Sequence, residues 1–167
     1  MSAADVLDPA FDPAELQGQV VLLGVAGLDV AGLRGILDLG SGQVDFASAG
    51  HDSPFILGGT TGLRQLVTEG GPPLGAVEEF RYPIDHDRVE PGEVLLLFTD
   101  GVTEAHNREH TLYSSERLAK ALAAAQVFDA QRVVAAVIDD VNRFIGGAEQ
   151  ADDMTLLAVR RVAGTAT

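Results

Sequence analysis

Leu95-Leu96-Leu97-Phe98-Thr99-Asp100-Gly101-Val102-Thr103-Glu104-Ala105 is an apolar run that stops on an aspartate and a glycine. An uninterrupted run of this kind reads as a buried strand, and the Asp-Gly step ends it. A carboxylate at a strand end is held by rigid backbone and can still face water. Gly101 lets the chain turn sharply and lets its own carbonyl approach whatever Asp100 binds. Ala151-Asp152-Asp153-Met154-Thr155-Leu156-Leu157-Ala158-Val159 has the mirrored order, with carboxylates just ahead of a strand. If the two strands are antiparallel neighbours, Asp100, Gly101, Asp152 and Asp153 meet at one sheet edge. Carboxylate and carbonyl oxygens are hard donors that favour magnesium, manganese or calcium over zinc.

Composition narrows the classes around that edge. At 167 residues the chain is long enough for one domain with a real core. The boundaries expected are a loose arm over 1–19, which carries Pro9 and Pro13, a single domain over 20–162, and a tail over 163–167. A formal net charge of −14 argues against nucleic acid as a partner, because phosphate backbones are bound by Lys/Arg clusters. No apolar run is long enough to span a bilayer, so no membrane partner is expected. With no basic, apolar, then small-residue N-terminus, a cytoplasmic location is expected. The absence of cysteine removes thiolate nucleophiles and cysteine-based metal sites.

Around the two acidic stretches the pattern is mostly β. Val20 to Val25 reads as a short strand and Gly24-Val25-Ala26-Gly27 as a glycine-rich turn. Leu33 to Leu39 and Val44 to Ala49 form a hairpin over Gly40-Ser41-Gly42. A loop over 49–54 leads to Phe55-Ile56-Leu57, and Gly58 to Gly62 turns into a second hairpin. Gly70 to Gly75 reads as a rigid turn. Phe80, Tyr82 and Ile84 alternate with polar residues and Pro83, the mark of a half-buried edge strand. Ser114-Ser115-Glu116 opens a helix whose apolar face is Leu118, Ala121, Leu122 and Ala125. Asp129 caps a second helix with the stripe Val133, Val134, Val137, Val141 and Phe144, ended by Gly146-Gly147. Thr155 to Arg160 is the last strand. Strands, two helices and a closing strand define an α+β class.

The motifs resemble those of the metal-dependent protein phosphatases (PPM family), in the SpoIIE/RsbU-type bacterial branch. The matching pieces, in the family's order, are Ala49-Gly50-His51, Gly71-Pro72-Pro73-Leu74-Gly75, Pro91-Gly92-Glu93, Phe98 to Glu104, and Asp152 to Leu157. The resemblance implies a β-sandwich flanked by helices, with a manganese or magnesium centre of one or two ions at one sandwich edge. It implies that Asp100 and Asp152 ligate metal and act in catalysis through metal-bound water, with Asp153 and Gly101 at the same centre. The implied activity is serine/threonine phosphatase action on a phosphorylated regulatory protein of the anti-anti-sigma type.

The N-terminal third departs from the family pattern. Members carry a strand ending in Gly-Asp-Val-Ser/Ala-Gly, whose aspartate bridges both metals, followed by two helices. The nearest equivalent, Val21-Leu22-Leu23-Gly24-Val25-Ala26-Gly27, has no aspartate, and Asp29-Val30-Ala31 runs straight into the hairpin. Two expectations follow: weak activity, or in the alternative an inactive relative that serves as a regulatory binding module. A third is a reduced helical layer on one sheet face, to be covered by a homodimer partner or a helical partner. Among the other candidates, His51 reads as a turn histidine bonded to its own loop and Asp139-Asp140 as a solvated helix face. Met154 reads as core, and Thr99 and Thr103 as satisfying backbone groups around the acidic turn.

Overall fold

The central apolar run is unbroken because both of its faces are buried. In the computed structural model, which describes residues 19–26, 31–59, 62–125, 129–148 and 152–162, it forms strand β7 (Val94–Phe98), all five residues buried. Successive strand residues point to opposite faces. Leu95 and Leu97 therefore enter one apolar cluster with Ile56, Leu33, Leu37, Val44 and Phe46. Val94, Leu96 and Phe98 enter another with Phe55 and Leu57.

The first cluster lies between two four-stranded antiparallel sheets. One sheet has the order β1 (Gln19–Ala26), β2 (Ala31–Asp38), β3 (Gln43–Ala49), β6 (Asp85–Arg88). The other has the order β5 (Gly62–Gln65), β4 (Phe55–Gly58), β7, β8 (Leu156–Arg160). The β2–β3 turn is fixed by Asp38, whose Oδ1 accepts from the Ser41 N–H and hydroxyl at 2.6 and 2.7 Å. The second cluster lies under helices α2 (Ser114–Ala125) and α3 (Ala130–Ile145), which supply Leu118, Leu122, Val133, Val137, Val141 and Ile145. Asp129 caps α3 by accepting from the Arg132 N–H, and Gly146 closes it at φ 58°. The architecture is the α+β sandwich with flanking helices expected from the sequence.

Both described long helices pack on the β5–β4–β7–β8 sheet. On the opposite sheet, Arg34, Ile36, Asp45 and Ala47 alternate with the inward-facing residues of β2 and β3, and none of the four is fully buried. That face is mixed in character: Gln43 and His86 both bond Asp45 across it. No described helix is long and apolar enough to cross a membrane.

Three expectations change. Gly24, Val25 and Ala26 do not turn; β1 stays paired with β2 as far as Ala26 opposite Ala31, while Gly27 lies outside the described residues. The strand expected over Phe80–Ile84 is displaced to β6, where Asp85 to Arg88 pair with Phe46 to Gln43. Pro83 has no N–H for a ladder, and the Phe80 and Tyr82 rings instead pack edge to face over Gly71. Asp140 is not a solvated surface charge. It accepts from the Tyr113 hydroxyl at 2.8 Å and pairs with Arg117 and Arg143, and burial together with that carboxylate pushes the Tyr113 pKa upward. The arm over 1–18 and the tail over 163–167 lie outside the described residues.

Phe46, 2% exposed, fills the space between the sheets. Phe46→Ala is expected to cost about 3–5 kcal/mol of folding stability, measured by urea denaturation; a loss below about 1 kcal/mol would show that the sheets do not pack there as described.

Candidate functional site

Antiparallel pairing of β7 with β8, Phe98 opposite Leu156, brings the end of one strand to the beginning of the other. Beyond the last pair the ladder is extended by Thr99. Its N–H donates to the Thr155 carbonyl at 3.1 Å. Its hydroxyl donates to the Asp153 carbonyl at 3.2 Å and accepts from the Thr155 N–H at 3.0 Å. Both hydrogen-bonding capacities of the hydroxyl are used on backbone, the role expected of it.

Asp100 opens a four-residue helix, α1 (Asp100–Thr103), and is half-buried. Gly101 and Val102 behind it are buried. The Gly101 N–H donates to Asp100 Oδ1 at 2.9 Å, and the Asp153 N–H donates to Asp152 Oδ1 at 2.7 Å, so each aspartate is oriented by the backbone that follows it. Asp152 and Asp153 are exposed. The two acidic turns press together at Gly101, where an added Cβ would stand 2.4 Å from the Asp153 carbonyl oxygen. Only glycine allows that approach.

A third segment closes on this edge. Asp52 Oδ2 accepts from the Thr103 hydroxyl at 2.7 Å, across 51 residues of sequence. The His51 ring, 7% exposed, places Nδ1 2.8 Å from the Asp52 carbonyl, the own-loop bond expected of it. Its Nε2 is buried and has no hydrogen-bond partner among the described residues. Gly50, at φ 73°, packs against the ring of Pro73, which ties the Gly70–Gly75 turn to the same loop. The Asp52–Thr103 contact was not foreseen. The only signal in the sequence is that Asp52 follows a strand end and Thr103 follows another.

Asp100, Gly101, Asp152 and Asp153 thus fall on one edge. Hard carboxylate oxygens on pre-set turns fit a hard divalent cation, since magnesium commonly takes one or two carboxylates and keeps several waters. Among the described residues, however, no three acidic or imidazole side chains converge on one point, so a cage for two ions is not formed by them. His106 and His110 stack on each other at 5.4 Å. Glu104 ends α1. Met154 packs against the helix-side core, as expected.

The sequence profile described as Stage II sporulation protein E (SpoIIE) matches residues 24–162. The chain belongs to the SpoIIE family. It is 32% identical over 128 residues to Protein IcfG of Synechocystis sp., an alignment covering 76% of this chain and 20% of IcfG. It is 28% identical over 119 residues to the phosphoserine phosphatase RsbU of Bacillus subtilis, covering 71% of this chain and 35% of RsbU. Among solved structures it resembles the RsbU and RsbW domains of Rv1364c from Mycobacterium tuberculosis, with a TM-score of 0.65 and 26% identity, covering 81% of this chain and 37% of that one. The chain therefore spans a fifth to about a third of the length of these curated relatives. Its fold is that of the PPM-type phosphatase domains of this family.

Gly101→Ala would drive a methyl group into backbone that cannot rotate away. It is expected to destabilise the protein by about 1–3 kcal/mol, read from the urea midpoint; an unchanged midpoint would show that the acidic turns are not in contact.

Proposed function

We propose that this SpoIIE-family domain is a metal-dependent serine/threonine protein phosphatase that acts, with low turnover, on a phosphorylated regulatory protein of the anti-anti-sigma type. The observation that carries the reading is the junction of Asp100–Gly101 with Asp152–Asp153 at the β7–β8 end. RsbU, a relative by sequence, is a phosphoserine phosphatase. A manganese or magnesium ion, when bound, supplies Lewis-acid polarisation of a phosphoryl oxygen and lowers the pKa of water.

In this reading Asp100 and Asp152 hold the cation, while Asp153 and the Gly101 carbonyl complete the edge around it. Backbone N–H groups fix both carboxylates before the ion arrives, so little is lost in ordering them. Low turnover follows from the donor count. Two dications held close together repel strongly unless a carboxylate bridges them, and Gln19–Ala26 contains none. That same deficit favours a second reading, an inactive relative that binds a phosphorylated partner without turnover. A partner also fits the sheet face that lacks a described helix: a second copy of the chain, or a helical partner, set over Ile36 and Ala47.

Hydrolysis of p-nitrophenyl phosphate is expected to require manganese and to fall in Asp100→Asn by about 100-fold or more, the scale of removing one electrostatic stabiliser. No turnover in folded protein would leave the binding-module reading. Sedimentation velocity across the micromolar range is expected to show a monomer–dimer equilibrium for the isolated chain; a strictly monomeric profile would contradict self-association through that face.

A further inference from the structure

We propose that Asp52 is a positioning residue: through the Thr103 hydroxyl it fixes the first turn of α1 and, with it, the direction in which Asp100 presents its carboxylate. The inference rests on the reading of Asp100 as a cation ligand and adds a residue to that site. Helix α1 has only four residues, too short to hold itself. Its N-cap, Thr99, makes no side-chain capping bond to it because its hydroxyl is committed to the β8 segment. The far end of the turn therefore needs a different anchor, and Thr103 supplies it. Its hydroxyl lies 2.7 Å from Asp52 Oδ2 and 3.2 Å from the Asp100 carbonyl oxygen. A hydroxyl has one proton, and the shorter, charged acceptor takes it.

Asp52 can act as an anchor because its own loop is held from several sides. His51 bonds the Asp52 carbonyl, the Ser48 hydroxyl donates to the His51 carbonyl at 3.2 Å, and the Gln65 amide donates to the Ser53 carbonyl at 3.2 Å. The path from a strand-end loop to the acidic turn is thus Ser48, His51, Asp52 and Thr103, and then the α1 backbone from Thr103 to Asp100, with one side-chain contact joining elements far apart in sequence. Outer partners of a metal ligand typically change metal affinity by about 10–100-fold when removed.

The test is manganese binding to the full chain, followed by the electron paramagnetic resonance signal of the free ion, beside thermal melting and hydrolysis of p-nitrophenyl phosphate. Asp52→Ala and the isosteric Thr103→Val are each expected to weaken manganese binding by about 10-fold or more. The double variant should be no weaker than either single one, because both remove the same contact. Asp52→Asn and Thr103→Ser each keep a partner for the bond and are expected to bind manganese within a few-fold of the parent. A purely structural contact would lower the melting temperature and leave manganese affinity unchanged. If Asp100→Asn weakens binding while Asp52→Ala and Thr103→Val do not, or if the two singles add, the positioning role is wrong and the phosphatase reading stands. If Asp100→Asn binds manganese like the parent, both are wrong.

Discussion

Thr99 sits where a fully buried strand meets water, and its three hydrogen bonds to the β8 segment hold the end of the sandwich closed. Strands β7 and β8 are already paired over five residues, which sets their register. A slip of one residue would turn every apolar side chain of β7 to the wrong layer. Both layers are full, with Leu95 and Leu97 between the sheets and Val94, Leu96 and Phe98 under the helices. Register is therefore not free to vary, and neither is the placement of the acidic turns that follow it. The chemistry at the edge is a consequence of packing in the interior.

What the edge can do depends on charge. Asp52, Asp100, Asp152 and Asp153, from three segments, carry like charges that repel unless a cation or hydrogen-bond donors compensate. The backbone supplies some of that compensation, one N–H each to Asp100 and Asp152, and Thr103 supplies it to Asp52. These bonds orient the carboxylates. A single hard ion with water completing its shell is consistent with two such carboxylates, whereas a pair of ions asks for a bridging group that the strand over Gln19–Ala26 does not carry. The family relationship and the fold are those of a PPM-type phosphatase domain.

Much of this was legible in residue order, for physical reasons that differ by element. An unbroken apolar run, a heptad-like valine stripe with Asp129 ahead of it, and a Gly-Ser-Gly turn between alternating strands each carry their structure locally, and β7, α3 and the β2–β3 hairpin formed as read. The meeting of Asp100 with Asp152–Asp153 at one edge was legible because carboxylates at the facing ends of two strands come together once those strands pair antiparallel. Alternation misled at Phe80, Tyr82 and Ile84. Period two does not reveal whether a partner strand is available, and Pro83 with the ring pair over Gly71 took that segment out of the sheet. Asp140 misled because a helix-face aspartate is judged exposed until a buried tyrosine such as Tyr113 reaches it from another element. Asp52 and Thr103 were beyond local reading altogether, as their contact exists only once two hairpins and the acidic turn are assembled.

Crystals of the protein soaked in manganese and measured at the manganese absorption edge would test the central claim directly. A single anomalous peak within coordination distance of carboxylate oxygens from both Asp100 and Asp152, about 2.0–2.6 Å for a hard divalent ion, is the result predicted. No peak at that edge in saturating manganese, or one that touches neither aspartate, would contradict it.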